Sequence, residues 1–136
     1  MTGTEHDGGC LCGDIRYRVT GAPISTNICT CTQCQKHSGS PLPAFVTYRL
    51  DRFQLLAGTP AGFRSSDFAV RQFCPRCGSS LFWRQDNGDD IDIYFGTLDR
   101  PADLPPPADH IWAQHKAPWV PELPDVPIYP AQRTKA

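Results

Sequence analysis

Seven cysteines in three tight groups constrain this chain more than any other feature: Cys10-Leu11-Cys12, Cys29-Thr30-Cys31-Thr32-Gln33-Cys34 and Cys74-Pro75-Arg76-Cys77. They divide into a complete four-thiolate set, Cys10, Cys12, Cys74 and Cys77, and an incomplete three-thiolate set, Cys29, Cys31 and Cys34. Zinc with four thiolates is coordinatively full and holds structure, whereas zinc with three protein ligands keeps a position for water, a thiol or a carbonyl. Two zinc ions per chain are therefore expected, one closed and one open. Closing the roughly 60-residue loop of the first set costs on the order of 3 to 4 kcal/mol of chain entropy. Structural zinc in small peptides contributes about 10 to 16 kcal/mol at neutral pH, so the metal can pin the start of the chain to its middle.

The spacings suggest how each pair forms. In an extended segment the sulfurs of Cys10 and Cys12 point to one side, because strand side chains alternate with a period of two. Cys74-Pro75-Arg76-Cys77-Gly78 has the form of a zinc knuckle, with Pro75 fixing φ after the first ligand and Gly78 permitting a turn after the second. The second group repeats a two-residue and a three-residue step in overlap and lacks a fourth ligand. His37 is the nearest candidate, followed by His110 and His115. Three thiolates and one zinc carry a net charge of minus one, so a nearby cation is expected; Lys36, Arg64 and Lys116 are the candidates.

With 136 residues and 40% hydrophobic content the chain suits one domain. A formal net charge of −1, with acidic and basic residues interleaved, provides no electrostatic footprint for nucleic acid or for an anionic membrane. No apolar run approaches the roughly 18 residues that span a bilayer, and the first residues lack the basic start and apolar stretch of a secretory signal. A cytoplasmic location is expected, where reducing conditions favour metal-bound over disulfide-bonded cysteines. An odd cysteine count also resists complete pairing.

Strand signals dominate. Residues 14–19 and 91–95 alternate apolar and polar positions, and further β-rich runs lie at 44–48, 53–56, 69–73 and 81–84. The class expected is mainly β, with antiparallel sheets and minor helix: one turn at 32–38 and another at 101–104. Nine of the fourteen prolines follow residue 100, interleaved with Ile111, Trp112, Trp119, Val120, Leu123, Val126, Ile128 and Tyr129. Such apolar content favours an arm wrapped on the sheet. The expected organisation is a flexible 1–7, a single zinc-binding domain over 8–130 that includes this arm, and a flexible tail over 131–136. Trp83 is assigned to the core; Trp112 and Trp119 could line a pocket or an interface.

Four ordered motifs carry a family resemblance: Gly8-Gly9-Cys10-Leu11-Cys12-Gly13-Asp14-Ile15-Arg16-Tyr17; Cys29-x-Cys31-x-x-Cys34-Gln35-Lys36-x-x-Gly39; Phe73-Cys74-x-x-Cys77-Gly78-Ser79; and His110-Ile111-Trp112 with Lys116-Ala117-Pro118-Trp119. Over residues 8 to 120 the chain resembles the glutathione-dependent formaldehyde-activating enzymes. The resemblance implies a β-tent fold, a structural zinc on Cys10, Cys12, Cys74 and Cys77, and a catalytic zinc on Cys29, Cys31 and Cys34. It also implies condensation of formaldehyde with glutathione to S-hydroxymethylglutathione, a carbon-sulfur lyase reaction. Family members commonly have histidine between the first two ligands of the second group, where this chain has Thr30.

Two functions fit these features. The first is an enzyme that adds a small thiol, glutathione by the resemblance, to formaldehyde or a related aldehyde. The second is a non-enzymatic, zinc-stabilised binding or scaffolding module. An iron or redox centre on the same thiolates is a third and weaker fit. The sequence leaves the oligomeric state open.

Overall fold

A computed structural model describes residues 4–134. Ten strands are β1 (Glu5–Gly9), β2 (Arg16–Thr20), β3 (Ser25–Cys29), β4 (Ala44–Arg49), β5 (Phe53–Ala57), β6 (Ala61–Arg64), β7 (Ala69–Phe73), β8 (Ser80–Gln85), β9 (Asp90–Tyr94) and β10 (Asp109–Ile111). One α-helix, α1 (Thr32–Ser38), follows β3, and four single-turn 3-10 helices complete the ordered elements. The strands form a small sheet, β1-β2-β5, and a large one, β10-β3-β4-β9-β8-β7-β6. The mainly β class with antiparallel sheets agrees with the expectation from sequence; the single parallel pair is β10 on β3.

Register sorts the two faces of the large sheet, since residues opposite each other on neighbouring strands share a face. One face carries Val46, Tyr48, Ile91, Ile93 and Phe82 and packs against Ile15, Tyr17 and Val19 of the first hairpin. Tyr17, Phe53 and Phe82 meet with ring centroids 5.2 to 5.7 Å apart, locking the small sheet onto the large one. Fully burying each such ring contributes about 1.5 to 3 kcal/mol. Gly8 lets β1 cross this core closely: a Cβ there would lie 2.3 Å from Tyr17 Oη and 2.6 Å from the Thr97 carbonyl oxygen. The opposite face presents Asn27, Cys29, Phe45, Thr47, Asp92, Tyr94, Trp83 and Arg71.

Beyond β10 the proline-rich arm folds back along the sheet edge. Backbone bonds join His110 N to Pro127 O (3.0 Å), Tyr129 N to His110 O (2.8 Å) and Trp112 N to Ala131 O (3.0 Å), and Arg133 pairs with Asp109. Hydrogen bonding thus reaches past residue 131, where a tail was expected. At the other end, Glu5, His6 and Asp7 belong to β1, and Asp7 accepts from Arg18 at 2.8 Å. Polar side chains and two glycines left that strand without an alternating apolar signal. Residues 1–3 and 135–136 of the two expected tails lie outside the described residues.

Candidate metal centres and the cavity beside them

Two groups of side chains that could hold a metal ion stand out among the described residues: Cys10, Cys12, Cys74 and Cys77, and Cys29, Cys31 and Cys34. Within each group the sulfurs all lie within 4.8 Å of one another. Four thiolates around a tetrahedral zinc, with bonds of about 2.3 Å, stand about 3.8 Å apart. The observed spacings are 3.6 Å for Cys10–Cys12, 3.8 Å for Cys12–Cys74 and 3.4 Å for Cys29–Cys34, so both donor sets fit such an ion. None of the seven cysteines forms a disulfide.

The first group joins the β1–β2 turn to the β7–β8 turn. Cys10 through Cys12 were expected in a strand, but they form the hairpin turn itself: Gly13 N bonds Cys10 O at 3.2 Å, with Gly13 at φ 86°. The middle residue, Leu11, is accordingly 90% exposed. Cys74 Sγ accepts from the backbone amides of Arg76 and Cys77, each at 3.4 Å, as a knuckle thiolate requires. Ser79 ties the turns together, accepting from Leu11 N at 2.9 Å and standing 3.2 Å from Cys77 Sγ. The Ser79 contact holds the Cys77 thiol down at about 5.

The second group is built at the β3–α1 junction. Cys29 ends β3, Cys31 is the N-cap of α1, and Cys34 lies in its first turn, its amide donating to Cys31 Sγ at 3.3 Å. Hydrogen bonds from the Cys29 and Cys34 thiols pull the Cys31 thiol far below its ordinary pKa, so it ionises first. Hydrogen bonding to Cys31 and Cys34, and after it burial, pushes the Cys29 thiol the other way. Gly39, at φ 73°, closes the helix as a left-handed cap.

The cation facing these sulfurs is Arg71. Its Nη1 and Nη2 stand 3.6 and 3.5 Å from Cys34 Sγ, and Nη1 donates to Tyr94 Oη at 3.0 Å. Burial opposes the guanidinium charge, but the Cys34 sulfur and the Tyr94 oxygen outweigh it. The three cations expected from sequence stand elsewhere. Arg64 pairs with Asp86 at 2.8 Å, Lys116 donates to Val120 O at 3.2 Å, and Lys36 lies in the last turn of α1, outside the cavity wall. His37 is not grouped with the cysteines: its Nδ1 is 2.7 Å from Tyr94 Oη.

Thr30 points away from the cysteines and is fully buried. Its hydroxyl donates to Trp112 O at 3.0 Å and so accepts from His110 Nε2 at 2.8 Å, which leaves His110 Nδ1 without a partner. An imidazole thus sits one hydrogen bond from the position between Cys29 and Cys31, supplied by β10.

All three sulfurs of the second group open onto a cavity of about 530 Å³ whose wall also includes Arg71, Phe45, Phe68, Trp83, Trp112 and His115. Trp83 was expected in the core; it lies on the cavity face of β8, its ring 6.5 Å from Phe68. Trp119 is 72% exposed, and His115 stacks on Trp112 with centroids 6.1 Å apart. A site of this kind can hold a metal at one end and a small organic molecule against aromatic walls.

Comparison with known proteins agrees with this architecture. A crystal structure of a Rhodobacter sphaeroides protein superposes with a TM-score of 0.59 at 18% identity, covering 90% of this chain and 98% of that one, which is a likeness of fold. A Schizosaccharomyces pombe protein described as an uncharacterized lyase is 31% identical over 85 residues, 62% of this chain and 61% of that relative's length. No described helix is long and apolar enough to cross a membrane. The model of the glutathione-dependent formaldehyde-activating enzymes matches residues 5–115, more than half of the sequence, and the chain belongs to that family.

Proposed function

We propose that this protein is a zinc-dependent carbon-sulfur lyase that adds a small thiol, glutathione first among candidates, to formaldehyde or a related aldehyde, giving an adduct of the S-hydroxymethylglutathione type. The observation that carries the reading is the contrast between two cysteine sets: one complete with four sulfurs, the other with three sulfurs facing a cavity and a buried guanidinium. When bound at Cys29, Cys31 and Cys34, zinc supplies Lewis acidity that favours the thiolate form of an entering thiol and polarises a carbonyl. Cys10, Cys12, Cys74 and Cys77 would hold a second zinc as a structural clasp.

The chain's own groups then have distinct tasks. Arg71 balances the negative charge of the thiolates. Phe45 and Trp112 give one side of the cavity an apolar wall, which strengthens charge interactions beside it. The His115 imidazole lines the cavity wall, and in this reading it holds the proton that leaves the thiol and returns it to the hydroxyl of the adduct. The free cysteines suit a reducing compartment, the cytoplasm. The two sheets and the cysteine clasp fit the β-tent architecture of the family.

Exchange spectroscopy by NMR on mixtures of glutathione and formaldehyde tests the reading against the uncatalysed reaction. The zinc-loaded protein is expected to accelerate adduct exchange, and Cys31→Ser to remove at least ~100-fold of that acceleration. No acceleration with both metal sites filled would favour the scaffolding module.

A further inference from the structure

The guanidinium of Arg71 is held by more than sulfur. Arg71 is only 4% exposed and its Nε is buried with no hydrogen-bond partner, so its orientation depends on the two Nη atoms. Those stand 3.6 and 3.5 Å from Cys34 Sγ, and Nη2 reaches Gln33 Oε1 only at 3.5 Å. The shortest bond is to Tyr94 Oη, at 3.0 Å. Tyr94 is itself fixed edge-on against Phe45, with ring centroids 4.5 Å apart.

The directions of these bonds follow from the groups involved. A guanidinium only donates, so Tyr94 Oη accepts from Arg71 and keeps its own hydrogen for another acceptor. The other group bonded to it among the described residues is His37 Nδ1, at 2.7 Å. Tyr94 therefore donates to His37, and the imidazole carries its proton on Nε2. Burial, and after it the charge of Arg71, hold the His37 pKa below its ordinary value, so the ring is neutral, as this bond requires. A hydroxyl that donates is also a stronger acceptor, so the His37 bond tightens the one from Arg71. α1 presents Cys34 and His37 three residues apart on one side, and Ser80 Oγ donates to His37 O at 2.6 Å, fixing the end of the helix against β8. The chain of bonds thus runs from a sulfur of the cysteine cavity to the wall of a second cavity of about 560 Å³, which His37 and Tyr94 line.

We propose that His37 is a positioning residue for the open metal site: through Tyr94 it orients the Arg71 guanidinium on Cys34 Sγ without touching metal or substrate. Its effect on the metal rests on the zinc reading above; the chain of bonds does not.

Long-range proton–nitrogen NMR of the purified protein reads the tautomer. The wild type is expected to show His37 protonated at Nε2 and accepting at Nδ1. Chelator competition on the zinc-loaded protein reads the consequence. His37→Phe keeps a ring against Phe73 and Tyr94 but has no acceptor, and is expected to weaken zinc at the second set about 5-fold, the range for one neutral hydrogen bond. His37→Asn, with an oxygen in place of Nδ1, is expected to restore most of the affinity. In a Tyr94→Phe background, His37→Phe should change nothing further. A proton on Nδ1 in the wild type, or an equal loss from His37→Phe with and without the Tyr94 hydroxyl, overturns the proposal. A second set that takes up no zinc overturns the zinc reading, and the tautomer then decides the chain of bonds.

Discussion

Cys74→Ser is expected to leave the chain unable to hold its fold at physiological temperature. The substitution conserves volume, so packing is nearly untouched, but a serine hydroxyl does not ionise and cannot replace a thiolate ligand. Cys74 is 1% exposed, stands 3.8 Å from Cys12 and receives two backbone amides. Losing it opens the four-sulfur clasp between the first hairpin and the β7–β8 turn, and leaves a hydroxyl in the core at a further cost of about 1 to 3 kcal/mol. A domain of this size has about 5 to 15 kcal/mol of stability in all, so a structural zinc worth about 10 to 16 kcal/mol in peptides is decisive. Soluble yield and thermal melting by circular dichroism check this. A soluble, zinc-replete variant melting within a few degrees of the wild type would remove the structural assignment.

Arg71→Met is expected to weaken zinc at the other site by about 10- to 100-fold while the fold persists. A unit charge about 4 Å from a thiolate is worth about 4 kcal/mol at an effective dielectric of 20, and methionine keeps the apolar bulk without the charge. Arg71→Lys restores the charge but not the fork that spans Cys34 Sγ and Tyr94 Oη, so it should recover only part of the affinity. Competition with a chromophoric chelator measures the loss. Wild-type affinity in Arg71→Met would mean that the guanidinium serves Tyr94 and the packing alone.

The cysteine grouping could be read from sequence because ligand spacing is local: each pair or trio spans at most six residues, and local chain geometry brings its sulfurs together. Strands with a clean alternation were legible for the same reason. Ala69–Phe73 matched β7 end to end, and Ile91 and Ile93 marked the inward face of β9. β3 was hidden because its cavity face is polar at Ser25 and Asn27, Asn27 lining the cavity beside Cys29, and β10 because three residues after a proline run carry no period. Both belong to the site, where local pattern gives way to function.

Arg71 was missed for a different reason. Lys36, Arg64 and Lys116 were the candidates from sequence, yet three strands lie between β3 and β7 in the sheet, so contact between Arg71 and Cys34 depends on the long side chain reaching over Tyr94. One signal was present: Arg71 shares the period-two face of β7 with Ala69, which is fully buried. An arginine on an inward strand face needs a buried anionic partner. Trp83 misled in the opposite direction, since the face that holds it borders a cavity rather than the core.

Metal content per folded chain tests the two-site account most directly. Purified wild-type protein is expected to carry close to two zinc ions per chain by elemental mass spectrometry, and Cys31→Ser, folded by circular dichroism, close to one. A wild type with one zinc, or a folded Cys31→Ser that still holds two, would contradict the division into a closed structural site and an open reactive one.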